Sequence, residues 1–211
     1  MAPDLEYFSR MRILATYGHL WWDGLVFNIL ISLFYCFIFH FFVRNVLIDH
    51  LPNMFYQRFH DFQELNWIDY FKANSLGVII SIIIGIYSHL FWDAFTHEWG
   101  FFVQQIPFLQ STWFDFGYEL KGYKFLQYFS SIIGLILITF WIFRLPVNSD
   151  KISHFSITFW LKVGVSAVVI SFIRFYFFPI EIMSGNLIVV PIMAIFLVFL
   201  SLGIFKRIKS L

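Results

Sequence analysis

Five apolar runs, each long enough to cross a bilayer, constrain this chain more than any other feature of its sequence. They occupy residues 24–43, 75–95, 125–143, 157–178 and 187–205. A helical span needs about 20 apolar residues at a rise of about 1.5 Å each. Helices are required because a lipid-exposed sheet edge leaves backbone polar groups unsatisfied, and no alternating pattern repeats as a barrel would demand. The expected fold class is therefore all-α, a polytopic membrane helix bundle with about five transmembrane helices in a single integral-membrane domain over residues 1–211.

Composition points the same way. Hydrophobic residues make up 60% of the chain and charged ones 13%, against about 25% charged in ordinary globular proteins. A soluble domain of 211 residues has too little interior for 31 Phe and 8 Trp, which excludes a soluble enzyme, a nucleic-acid binder and a disordered linker. Membrane lipids are the expected partners; nucleic acid is not, and no protein partner is indicated. With 14 Lys+Arg against 13 Asp+Glu there is no strongly charged surface. The single cysteine, Cys36, lies in an apolar run, forms no intrachain disulfide and reads as a small hydrophobe.

The connections are polar but rich in aromatics. Residues 51–74 mix Pro52, Arg58, His60, Asp61, Glu64, Trp67 and Asp69 with apolar side chains, the pattern of an interfacial amphipathic helix. Residues 96–124 carry Trp99, Trp113, Tyr118 and Tyr123, which suit the headgroup zone. Met1-Ala-Pro-Asp lacks the basic start and apolar core of a signal peptide. Lys and Arg are richer on the face holding Arg44, Arg58, Lys72, Arg144, Lys151 and Lys206, so that face is expected in the cytoplasm and residues 1–20 outside.

Candidate chemistry is concentrated in two similar segments, Tyr17-Gly-His-Leu-Trp-Trp-Asp23 and Tyr87-Ser-His-Leu-Phe-Trp-Asp93. On a helix, residues four apart share a face, so His19 is expected beside Asp23 and His89 beside Asp93. His97 extends the second column by another turn. The first span begins just after His19 and the second ends near Asp93, so antiparallel spans are expected to bring both segments to one membrane face, where Asp4 and Glu6 can join them. Imidazoles and carboxylates without thiolates suit a divalent metal such as Zn, Mn or Fe. Ionisable groups near a bilayer are costly and by default functional. The structural alternative is that each Asp merely fixes its His at a helix end.

The remaining polar residues read as structural. His40 and Arg44 form a snorkelling or packing pair, Asp49 and His50 before Pro52 mark a helix stop, and His60 and His154 are solvated. Ser130-Ser131 signals close helix packing rather than a nucleophile. Ser88-His89 lacks the Gly-x-Ser-x-Gly surroundings of a nucleophile elbow.

The segment Gly85-Ile-Tyr-Ser-His-Leu-Phe-Trp-Asp-Ala-Phe-Thr-His-Glu-Trp-Gly-Phe-Phe-Val103, with Ala2-Pro-Asp-Leu-Glu-Tyr7 and Leu126-Gln-Tyr-Phe-Ser-Ser-Ile-Ile-Gly134, resembles the membrane-protein family of domain of unknown function 4184 over nearly the whole chain. More distantly, Pro-Asp-x-Glu followed by His and then Ser-His-x3-Asp is similar to bacterial inner-membrane proteins named as metal-dependent hydrolases. The resemblance implies a polar site of Asp4, Glu6, His19, His89, Asp93 and His97, the first five of them as metal ligands. Asp23 falls where the family has small or apolar residues. Relatives open with a hydrophobic helix before Ala-Pro-Asp, so a further helix carrying another His is expected upstream of Met1.

The expected function is a metal-dependent hydrolase of the membrane face acting on a lipid or envelope-related substrate, with His97 or Glu98 as general base. A lipid phosphatase using His-x3-Asp is disfavoured because the Pro-Ser-Gly-His motif of that superfamily is absent. The non-enzymatic alternatives are a small transporter and a membrane scaffold; scarce charge at the midplane counts against transport.

Overall fold

A computed structural model describes residues 2–115, 117–178 and 184–209. Met1, the starting point for the expected upstream helix, lies outside them. In chain order the helices are α1 (Leu5–Arg10), α2 (Leu25–Ile38), α3 (Arg44–Asp49), α4 (Asn53–Phe59), α5 (Trp67–Thr96), α6 (Phe101–Gln105), α7 (Pro107–Gln110), α8 (Gly122–Arg144), α9 (Ile157–Phe177) and α10 (Ser184–Ile208). A π-helical turn, Phe39–Val43, joins α2 to α3, and a 3-10 turn, His60–Glu64, follows α4. Two short strands, β1 (Thr112–Asp115) and β2 (Glu119–Lys121), precede α8.

Among the described residues, five stretches are long and apolar enough to cross a membrane: Leu25–Asp49, Trp67–Gln105, Gly122–Arg144, Ile157–Phe177 and Gly185–Ile208. Each contains one of the expected apolar runs nearly whole, so the chain is an all-α polytopic integral membrane protein. Residue contacts divide it into two compact units, one of Met1–Ile83 with Pro146–Leu211 and one of Ile84–Leu145.

The core of the first unit is built where α9 and α10 meet the end of the first span. Val43, Val46, Val163, Val198 and Phe199 are buried together. At Gly203, α10 runs so close to the Phe42 carbonyl that a Cβ would collide with it, so only glycine permits this approach. His50 ends α3 as the sequence predicts; its ring stacks on Phe159 at 3.6 Å between centroids, and its carbonyl accepts a 2.8 Å hydrogen bond from Trp160 Nε1.

Residues 51–74 depart from the single amphipathic helix that their composition suggests. Pro52 opens α4, the 3-10 turn follows, and Asn66 Oδ1 accepts from the backbone N–H of Ile68 at 3.1 Å and of Asp69 at 3.4 Å, starting α5 eight residues before the apolar run. Arg44 fixes the break. Its buried guanidinium donates to the carbonyls of Gln63 at 3.1 Å and Leu65 at 2.9 Å and to His40 Nδ1 at 3.2 Å. His40 in turn stacks on Trp67 with centroids 4.2 Å apart. Of the two readings open for His40 and Arg44, the packing contact is the one found. The helix is then bent at Asn74, where φ is −127° and ψ is 23°.

The second unit packs Val103, Leu109 and Tyr123 beneath the end of α5 and the start of α8. Its β1–β2 hairpin pairs Thr112 with Lys121, Phe114 with Leu120 and Asp115 with Glu119, and is too short for alternation to reveal it in the sequence. Trp113, from this hairpin, donates its Nε1–H to the Phe108 carbonyl at 2.8 Å.

Candidate functional site

The amino-terminal cluster is organised by one buried carboxylate. Glu6, on the first turn of α1, is only 2% exposed. Its Oε1 accepts from Arg10 Nε at 3.0 Å and the Thr16 N–H at 2.9 Å; its Oε2 accepts from the N–H groups of Tyr17 at 3.0 Å and Gly18 at 2.7 Å. Burial pushes the Glu6 carboxyl up, but the three backbone donors and Arg10 outweigh it and hold the group below its ordinary value. From the other side Asn28, fully buried on α2, donates Nδ2–H to the Gly18 carbonyl at 2.8 Å.

This clamp determines where the first motif copy goes. A Cβ on Gly18 would meet the Pro3 carbonyl, and one on Gly24 would meet the carbonyls of Tyr17 and Leu20. Residues 17–24 therefore form turns, and the helix begins only at Leu25. The expectation that His19 and Asp23 share a helix face is overturned, because no helix exists there. Asp23 is exposed. His19 instead lies against Asp4, with Nε2 and Oδ1 3.4 Å apart, and stacks on Tyr7 at 4.9 Å between centroids.

The second copy is helical. Asp93, near the end of α5, sits between two imidazoles one turn away on either side: His89 Nε2 is 3.2 Å from Oδ2, and His97 Nδ1 is 3.5 Å from Oδ1. The three form the column that the spacing predicts. Next to it Thr96, 1% exposed, places Oγ1 3.1 Å from the Trp92 carbonyl and 3.4 Å from His97 Nδ1. His97 and Glu98 lie just past the helix end and are exposed; the Glu98 carbonyl accepts from Gln104 Nε2 at 2.7 Å.

Of the residues nominated from sequence, Asp4 is thus joined to His19, and Asp93 to His89 and His97. Glu6 has both oxygens committed to the loop clamp. Tyr7, Arg10, Asn28 and Thr96 were not nominated; of these only Asn28, a polar residue in an apolar run, carried a signal in the sequence. The donor set of carboxylate oxygen and imidazole nitrogen suits Zn, Mn or Fe, and a carboxylate against one ring nitrogen is the arrangement that orients a metal-binding imidazole.

A family model described as a domain of unknown function (DUF4184) matches residues 1–208, and the chain belongs to that family. No curated protein and no solved structure matches it.

Proposed function

We propose that this protein is a metal-dependent hydrolase of the membrane face, acting on a lipid or envelope-related substrate in a bacterial cytoplasmic membrane. The observation that carries the proposal is that two carboxylate–imidazole pairs, Asp4–His19 and His89–Asp93, are each held at the end of a membrane-spanning segment, where ionisable groups are costly to keep without a role. Residues 2–24 precede the first span and residues 89–98 lie in the later part of the second, Trp67–Gln105; we take both to lie at one membrane face because consecutive spans run antiparallel.

In this reading Asp4, His19, His89 and Asp93 hold a divalent ion, and Glu6 shapes the loop that presents His19. Such an ion would supply Lewis-acid chemistry, making water a better nucleophile at neutral pH and a phosphoryl or acyl group more electrophilic. His97 is the better placed general base. Asp93 at its Nδ1 favours the tautomer that leaves Nε2 to accept a proton, the orienting role a carboxylate plays beside a catalytic imidazole. Glu98, exposed on the same turn, is the second candidate base.

The test is elemental analysis of the purified protein joined to hydrolysis of phospholipid and lysophospholipid esters. Stoichiometric Zn, Mn or Fe is expected, with ester cleavage abolished by chelation and restored by the ion. His97→Ala is expected to keep the ion and to lower turnover by about 100-fold or more. A protein that purifies without a divalent ion and takes none up would leave the scaffold reading in its place.

A further inference from the structure

The first unit contains a cavity of about 460 Å³ between α1, α2 and α10, within the range of about 300–1,000 Å³ usual for small-molecule sites. Its α2 wall steps from Ser32 to Cys36 and onward at helical spacing into the π-helical turn, so it follows one helix face. Met193 and Phe196 form the α10 wall, and Ala2 and Leu5 come from the amino-terminal stretch. Ala2, Ser32 and Cys36 are small, and the space exists because larger side chains do not fill it.

We propose that this groove binds one hydrocarbon chain of a membrane lipid. Both α2 and α10 belong to membrane spans, so hydrocarbon is the medium around the groove. An apolar space is a poor site for water, and left empty it forfeits the dispersion contacts of its lining. Ser32 supplies the second observation. It is 6% exposed, and its Oγ has no hydrogen-bond partner among the described residues, an arrangement that calls for one. It lies about 10 Å along the helix from Leu25, the start of the span, a depth inside the hydrocarbon at which water does not supply the missing partner and a polar atom of a bound lipid can. Ala2 and Leu5 line the groove while Asp4, between them in sequence, meets His19. The bound chain is thereby assigned to the substrate of the site proposed above, a point that rests on the hydrolase reading; chain binding itself does not.

The experiment is photolabelling of the chelator-treated full-length protein with a palmitoyl lysophosphatidylcholine bearing a mid-chain diazirine, followed by peptide mapping. Because no ion is present, the result bears on the groove alone, and the metal analysis above bears on the hydrolase alone. Adducts are expected on residues 32–39 and 192–196, displaced by unlabelled palmitoyl lipid and not by its butyryl counterpart. Ser32→Phe should lower them by about tenfold, the equivalent of about two methylenes no longer buried. Val165→Phe, on the 64% exposed position of α9, should leave them unchanged. Should Ser32→Phe fail to fold, competition on the unmodified protein still decides. Adducts spread evenly over lipid-facing helix surfaces, or undiminished by palmitoyl lipid, would overturn the proposal.

Discussion

Tyr17-Gly-His-Leu-Trp-Trp-Asp-Gly24 and Tyr87-Ser-His-Leu-Phe-Trp-Asp-Ala94 differ only at Gly18/Ser88, Trp21/Phe91 and Gly24/Ala94, yet one is a run of turns and the other the last turns of a helix. In the helical copy the four-residue spacing delivers His89 to Asp93 at 3.2 Å. In the turn copy the same spacing delivers nothing, and His19 finds its carboxylate fifteen residues upstream, at Asp4. The glycines and Glu6 account for the difference. Glu6 takes the N–H groups of Thr16, Tyr17 and Gly18 out of any helical ladder, and Gly18 and Gly24 admit carbonyls where Ser88 and Ala94 carry side chains. Spacing places side chains together only after backbone hydrogen bonds have chosen the helix.

The largest effect is expected from removing the clamp. Glu6→Ala strands the buried Gly18 N–H and removes the shared acceptor of the Thr16 and Tyr17 N–H groups and of Arg10, a loss of about 3 kcal/mol for hydrogen bonds to a buried charged group, read as a lowered thermal midpoint in detergent. Asp93→Ala, which leaves its helix intact, should cost far less stability. A Glu6→Ala protein as stable as the parent would show that the turn copy does not depend on Glu6.

Making the turn copy resemble the helical one comes next. Gly24→Ala installs the residue found at position 94, but its Cβ would strike the Tyr17 and Leu20 carbonyls; overpacking of this kind costs about 1–3 kcal/mol. The reciprocal Ala94→Gly should cost only about 1 kcal/mol, through helix propensity, before any loss from uncovering its buried position. Equal and small losses at both positions in thermal unfolding would erase the distinction.

Acid sharpens the same contrast. A carboxyl whose folded pKa lies below its unfolded value contributes stability that is complete above the unfolded value, about 4.3 for Glu, and is lost as pH falls through the folded value. The turn copy should therefore loosen below about pH 4, and Glu6→Gln should remove that part of the acid limb in a stability-versus-pH titration. A titration with the same acid limb in both proteins would assign the loss to other carboxylates. The smallest effect belongs to Asp23→Ala, an exposed position where a change within about 0.5 kcal/mol is expected; a larger loss would mean that Asp23 holds the turn after all.

The spans were legible in the sequence because lipid admits few solutions, and a long apolar run dictates helix whatever lies around it. The His89–Asp93–His97 column was legible for the same reason, being an extension of a span. The amino-terminal cluster was not. Its shape depends on Glu6 capturing backbone N–H groups ten to twelve residues away, and backbone donors leave no mark on a sequence. The break in residues 51–74 likewise turns on carbonyls held by Arg44. Asp4 is placed near the site by its position at the same end of the chain and by its family motif, but its pairing with His19 required the turn.

In the proposed function these two differently folded copies would each supply an imidazole to one divalent ion. Cobalt-loaded protein tests it most directly, since X-ray absorption at the cobalt edge counts bound imidazoles. Imidazole scattering is expected to fall in His19→Ala and to fall again in the His19→Ala/His89→Ala protein, while Asp23→Ala keeps the parent spectrum. An unchanged imidazole shell in the double variant, or failure of the parent to bind cobalt, would contradict it.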